Sequence, residues 1–282
     1  MRSSAFVTTT LLLIGSAAAE AQPVHPVAPA SLAVSESVRS RAAHRRPFLI
    51  GESLQYEATY GRMKVGEGRL DVVGIETVRG RPAWRLAFHL TGGIPLYRLD
   101  DRLESWVDTA TFTSRRFTKQ LHEGRRKRTQ RFEIYPDEGT YEELGAAGQS
   151  VRGREPTVAA PLDDGAFFYF VRTLPLTVGT TYTLDHYFRP DRNPVTVTVV
   201  RRERIKVPAG EFDTIVLRPV IKTTGLLGEA RRTELWLSAD DARVLVQVQS
   251  HLPVGTITLK LTQMTGVRNR SLLRLAEEDA AR

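Results

Sequence analysis

Side chains of alternating polarity recur along most of this chain, and a period of two commits it to β-sheet with one buried face. In Ser53 to Tyr60, Leu54, Tyr56, Ala58 and Tyr60 point one way while Ser53, Gln55, Glu57 and Thr59 point the other. Ala83 to Thr91 sets Trp84, Leu86, Phe88 and Leu90 against Arg85, Ala87 and His89, and Gly92-Gly93 is expected to break that strand. The habit returns in the second half. Thr181 to Arg189 alternates through Tyr182, Leu184, His186 and Phe188, and Val195, Val197 and Val199 resume after a turn at Pro190 to Pro194. Phe212 to Lys222, Arg231 to Ser238 and Val244 to His251 repeat it with Ile215, Leu217 and Ile221, with Thr233, Leu235 and Leu237, and with Val244, Val246 and Val248. About a dozen strands at spacings of about 8 to 15 residues suit a mainly β fold, a single large antiparallel meander forming a curved or barrel-like sheet. Parallel βαβ units are excluded, because the helices that must cross over between parallel strands are missing.

Two segments leave the period of two. Leu162-Asp163-Asp164 followed by Ala166, Phe167, Phe168, Tyr169, Phe170, Val171 and Arg172 reads as a short helix capped by an aspartate and apolar on nearly every side, so it must be buried across the mouth or along the concave face of the sheet. Arg270 to Ala281, with Leu272, Leu273, Leu275 and Ala276 among charges, reads as a weakly amphipathic tail helix.

The termini and composition set the compartment. Arg2, the apolar run Ala5 to Ile14 and Ala19-Glu20-Ala21 form the three parts of a cleaved secretory signal over residues 1 to 21. Residues 22 to 46, with Pro23, Pro26 and Pro29 and then alternating polar and basic residues, read as a disordered leader. The domain proper is expected over 47 to 268, with a tail at 269 to 282, and about 260 residues after cleavage fit one large β unit. A periplasmic protein, or one secreted further, is expected. No stretch reaches the roughly 20 apolar residues of a spanning helix. Strands such as Arg115 to His122 carry charges that the lipid face of an outer-membrane barrel would reject. The chain has no cysteine, which removes disulfides, thiolate metal sites and lipid attachment through a cysteine. Its net charge of +8 favours polyanions, and for an exported protein those are envelope components and not nucleic acid.

A family resemblance runs across the domain. Phe48 with Gly51-Glu52-Ser53-Leu54-Gln55-Tyr56, then Pro161-Leu162-Asp163-Asp164 with Tyr169 and Arg172, then Val207-Pro208-Ala209-Gly210-Glu211-Phe212, and finally Glu234-Leu235-Trp236-Leu237-Ser238-Ala239-Asp240 through Gly255 resemble the DUF3108 family of exported bacterial proteins. Ala166 and Phe167 depart from it, standing where a small hydroxyl residue is expected in the helix. The resemblance implies an exported, barrel-like β domain and leaves the biochemical role unassigned.

Candidate chemistry is sparse. The six histidines, at 25, 44, 89, 122, 186 and 251, include no pair at i,i+2 or i,i+4, so no metal and no cofactor is expected. Gly148-Gln149-Ser150-Val151-Arg152-Gly153 misses the serine-hydrolase elbow by one residue and reads as a surface loop. Among the paired carboxylates, Asp100-Asp101 would face opposite sides of a strand, Asp163-Asp164 serves a helix cap, and Asp240-Asp241 a hairpin turn. Gly66-Glu67-Gly68 lies inside a strand and marks a bulge or bend. No catalytic residue is assigned.

Two features remain. The aromatic side chains Tyr56, Tyr60, Trp84, Phe88, Phe167, Phe170 and Tyr182 face inward and are expected to line an apolar cavity with the helix as its lid. Arg125, Arg126 and Arg128, with Lys127 and Arg131, follow Gly124 in a hairpin that projects positive charge towards an anionic partner, with Arg131 and Glu133 on the outer face. The leading expectation is a non-enzymatic carrier for a lipid or other amphiphile. The alternatives are an envelope assembly or scaffold protein that contacts glycan or a partner protein, and an envelope hydrolase.

Overall fold

A computed structural model describes residues 31–33, 46–94, 97–221, 232–252 and 255–267. The expected signal, most of the leader and the tail helix lie outside the described residues. One sheet accounts for nearly everything else. Its strands are β1 (Ser31–Ala33), β2 (Ser53–Tyr60), β3 (Met63–Val78), β4 (Arg81–Ile94), β5 (Tyr97–Asp108), β6 (Ser114–Glu123), β7 (Arg126–Tyr135), β8 (Thr140–Leu144) and β9 (Glu155–Pro156). After the helix α1 (Asp164–Phe170) come β10 (Thr181–Leu184), β11 (Val195–Val207), β12 (Gly210–Val220), β13 (Arg232–Ser238), β14 (Leu245–Leu252) and β15 (Gly255–Thr265).

The order across the sheet is β1-β10-β11-β12-β13-β14-β15-β2-β3-β4-β5-β6-β7-β8-β9. All pairs are antiparallel except β1 on β10, where Ser31 to Ala33, from within the segment read as a leader, pairs in parallel with Thr181 to Thr183. The last strand therefore lies beside the first long one, with Ile257 opposite Tyr60 and Thr265 opposite Ser53. The sheet curls but does not close. Among the described residues no strand pairing joins β9 to β10. Leu162 crosses the gap instead: its N–H donates to the His186 carbonyl at 2.6 Å and its carbonyl accepts from Phe188 N–H at 2.9 Å.

Most of the alternation predicted from sequence is present. Leu54, Tyr56 and Ala58 are buried from β2, and Thr233, Leu235 and Leu237 from β13. Two strand ends differ from expectation. Gly92-Gly93 does not break β4, which continues to Ile94. Gly66 and Gly92 pair across β3 and β4 so closely that a Cβ on Gly66 would stand 2.0 Å from the Thr91 carbonyl oxygen. Glycine here permits close approach of two backbones, and so extends pairing that any side chain would prevent. In turn, β10 ends at Leu184, because His186 to Phe188 are drawn away to Leu162 at the gap.

The outer face is covered by ion pairs over tryptophan. Trp106 donates to Glu76 at 2.7 Å beneath Arg85 and Arg116, and Trp236 donates to Glu203 at 2.6 Å beneath Arg201. Glu133 points outward as expected, yet is only 5% exposed, because Arg79, Arg116 and Arg131 converge on it. Long guanidinium stems shield the apolar sheet surface while their heads stay wet.

Candidate functional site

The inner face of the sheet and α1 form one continuous apolar core, and α1 packs on β4 and β5. Every residue of the helix is buried. It lies along the concave face as an internal plug, the second of the two positions expected for it. Gly165 makes the approach possible, since a Cβ there would stand 2.4 Å from Ser105 Oγ.

Both ends of α1 are clasped by buried polar groups. At the start, Asp163 Oδ1 accepts from Gly165 N–H and Ala166 N–H, each at 2.9 Å, and from Ser105 Oγ at 2.5 Å. Its Oδ2 accepts from Ser114 Oγ at 2.7 Å. Burial outweighs these donors and pushes the Asp163 carboxyl up to about 6. The next carboxylate, Asp164, accepts from Lys119 Nζ at 2.7 Å and from the Tyr187 hydroxyl at 2.8 Å. Beyond the far end, Arg172 forks onto Glu52 with bonds of 2.6 and 2.9 Å and also donates to the Ala242 carbonyl at 2.9 Å. Both side chains of that pair are 1% exposed. These groups are engaged in holding the plug.

The seven aromatic residues expected to line a cavity sit at different depths. Tyr56, Phe88, Phe167, Phe170 and Tyr182 belong to the core, with Trp84 packed against it. Phe88 meets Phe168 of the helix at 5.5 Å between ring centres, and Phe170 meets Phe112 at 6.3 Å. The Tyr56 hydroxyl donates to the Leu245 carbonyl at 2.7 Å, that of Tyr182 to the Pro175 carbonyl. Tyr60 is half-buried, at the end of β2 where the hairpins turn. Two buried donors stand apart. Phe48 stacks edge-on to Tyr169 at 5.2 Å and to Trp84 at 5.7 Å, and neither the Tyr169 hydroxyl nor the Trp84 indole N–H meets a protein acceptor among the described residues. Burial, and then the charge of Glu52, raise the Tyr169 phenol well above its ordinary value, so it stays a donor.

Sequence reasoning missed several of these residues. Phe117 and Tyr141 cluster at the open seam with Phe132 and Phe188, which parity had already turned inward, and Phe132 and Tyr141 lie 5.0 and 5.2 Å from Phe188. Lys119 and Glu52 were also missed as buried ions. Their signal was parity alone: Lys119 falls between the inward residues Phe117 and Leu121.

On the outside, recesses of about 390 and 310 Å³ lie on either side of His89, the first over β2 and β3 and the second over β5 and β6. His89 Nε2 lies 2.9 Å from Asp100 Oδ1, and the hydrogen bond with His89 holds that carboxylate below its ordinary range. Asp101 instead accepts from the His122 backbone N–H at 3.2 Å. Asp240 serves the turn foreseen for it, accepting from Ala242 and Arg243 N–H at 3.1 Å each. Among the described residues, no group of three or more His, Asp or Glu side chains could hold a metal, and no helix is long and apolar enough to cross a membrane. Arg125, Arg126 and Arg128 are exposed on the β6–β7 hairpin, which turns at Gly124 with φ 61°.

A family model described as "Protein of unknown function (DUF3108)" matches residues 55–262, from β2 through most of β15. The chain belongs to the DUF3108 family. A DUF3108 domain thus takes the form of a curled, plugged sheet. Among solved structures, a beta-barrel-like protein of the domain of unknown function DUF1849 from Brucella abortus is similar, with a TM-score of 0.51 at 9% identity over 79% of this chain and 99% of that one. It shows a shared fold. A hypothetical protein from Chlamydia trachomatis matches with a TM-score of 0.35 at 9% identity over 83% of this chain and 94% of that one. A protein from Bacteroides fragilis described as exported, with a YmcC-like fold, matches with a TM-score of 0.29 at 11% identity over 78% and 98%. No curated protein matches this chain.

Proposed function

We propose that this DUF3108 domain is a non-enzymatic, exported, periplasmic binding module that holds a lipid or other amphiphile against the inner aromatic wall beside α1. The observation that carries the reading is the pair of buried donors around Phe48, the Tyr169 hydroxyl and the Trp84 indole N–H, which no protein acceptor meets among the described residues. A buried donor left unmet costs about 1 to 3 kcal/mol, so a site that keeps two of them suits a guest that brings an acceptor, such as the carbonyl of an ester or carboxyl group. The wall around them, with Tyr56, Phe88, Phe167, Phe170 and Tyr182, suits the apolar part of the same guest, and Tyr60 stands at its rim. The unpaired seam between the edge strands β9 and β1 offers a way in that a closed barrel would lack.

Native mass spectrometry of protein purified without detergent, paired with Tyr169→Phe, tests this. The wild type should carry an amphiphile. Tyr169→Phe should lose occupancy while stability holds or rises, since the substitution removes a buried polar atom that the protein itself does not use. Protein that arrives empty and takes up no fluorescent fatty acid would end the proposal.

A further inference from the structure

The meander places several hairpins at one end of the sheet. Tyr60 lies opposite Ile257, Gly66 opposite Gly92 and Leu99 opposite Glu123, so the joined ends of β2 and β3, of β4 and β5, of β6 and β7 and of β14 and β15 share a rim. Along it Arg62, Lys64, Arg98 and the run Arg125, Arg126, Lys127 and Arg128 are all exposed. Gly124 N–H donates to the Arg98 carbonyl at 2.7 Å, which seats Arg98 against the tip of the basic hairpin. At about 4.8 Å between strands, the arc from β2 to β7 spans roughly 24 Å. Met63, 54% exposed, lies between Arg62 and Lys64. On β7 the inner face passes from buried Gln130 to exposed Arg128, so a guanidinium stands at the lip of the curled sheet. On the rim Lys64 is paired with Glu67 at 3.0 Å, while at the opposite end Arg79 is bound to Glu133, and Arg115 to Asp108 and Asp137 at 2.7 and 3.2 Å.

We infer that this rim is a docking face for an anionic lipid surface, with Arg62, Arg98 and Arg125 to Arg128 against the headgroups and Met63 at their level. The inference rests on the amphiphile-binding reading and names the surface from which the guest would be taken. Basic side chains at such a surface contribute about 1 kcal/mol each, within a Debye length of about 10 Å at moderate salt. One rim carrying this many exposed cations therefore suffices to orient the molecule.

The test is flotation of the full chain with vesicles of phosphatidylglycerol and phosphatidylcholine in equal parts, or of phosphatidylcholine alone. Binding should require the anionic lipid and weaken as salt rises. Replacing Arg125, Arg126 and Arg128 by serine should weaken it roughly a hundred-fold. Replacing Arg202, Arg204 and Lys206 by serine, an equal loss of charge on exposed β11 towards the opposite end, should leave binding within about threefold. Equal losses in the two variants would reduce the effect to net charge and overturn the docking face. Absence of binding at low salt, or complete displacement by inorganic phosphate at matched ionic strength, would overturn it too. The rim variant should still carry its amphiphile in native mass spectra, so failed docking by an occupied protein sinks this inference alone, whereas an empty protein sinks the binding reading.

Discussion

Asp163 caps α1 as a carboxyl that burial holds near 6, and Asp163→Asn converts that into a measurable difference between two proteins. The folded carboxyl lies above its usual 3.8, so the native state takes up a proton between 3.8 and about 6 that the unfolded chain does not. Stability from this group is therefore highest at low pH and falls as pH rises through that window, by about 3 kcal/mol at about 1.4 kcal/mol per unit. Other carboxylates act in the opposite sense. Glu133 is held low against the cost of burial by Arg116 and Arg131, Asp108 by backbone N–H groups and Arg115, and Glu234 by Arg201 and Arg218. The raw pH profile of the wild type sums all of these, so the informative quantity is the difference from Asp163→Asn. Asparagine keeps one oxygen for Gly165 and Ala166 N–H, is itself a good cap, and carries no charge at any pH. Urea unfolding at about pH 4.5 and about pH 7.5 should show the variant gaining on the wild type by about 2 kcal/mol between the two conditions. A difference that stays constant with pH would refute the claim that Asp163 is a desolvated carboxyl.

Three further substitutions probe the plug and the sheet. Glu52→Ala leaves Arg172 buried without its partner and should lower unfolding free energy by about 3 to 5 kcal/mol in urea, and a loss under about 1 kcal/mol would show that the pair is dispensable. Gly165→Ala places a methyl 2.4 Å from Ser105 Oγ and should cost about 1 to 3 kcal/mol; combining it with Ser105→Ala should recover part of that cost, whereas strictly additive losses would rule out the clash. Gly92→Ala sets a methyl 2.3 Å from the Val65 carbonyl oxygen, which backbone cannot readily yield. It should lower the melting temperature by several degrees and speed amide exchange in β3 and β4, and an unchanged melting temperature would mean that the two backbones are further apart.

Where one face was dry and the other wet, the sequence could be read directly. Leu54, Tyr56 and Ala58 or Thr233, Leu235 and Leu237 announce their side of the sheet by parity, and Asp163 announces a helix start by preceding an aromatic run. What stayed hidden depended on partners distant along the chain. Arg172 and Glu52 are 120 residues apart, and each alone looks like an ordinary surface charge. Lys119 had the parity of a core residue and the chemistry of a surface one, and only Asp164 and Tyr187 resolve that conflict. Gly92-Gly93 looked like punctuation because a glycine that ends a strand and one that lets two strands touch are the same letter. Tyr56, Phe88, Phe167, Phe170 and Tyr182 are buried on the side parity gave them, but parity gives a face and no depth, so the partial burial of Tyr60 and Trp84 could not be foreseen.

The junction of β15 with β2 has a consequence for how the molecule comes into being. Its partners, such as Thr258 and Thr59, are separated by nearly the whole length of the domain. During synthesis the outer edge of β2 must wait, its amides unsatisfied by protein, until the last strand has emerged, which makes assembly slow and leaves that edge open to mispairing with other chains. Stitching Val267 to Arg46 through a short bridge and cutting the exposed Gly145–Ser150 loop would turn this latest contact into a local one, and such a permuted chain should reach its native state sooner.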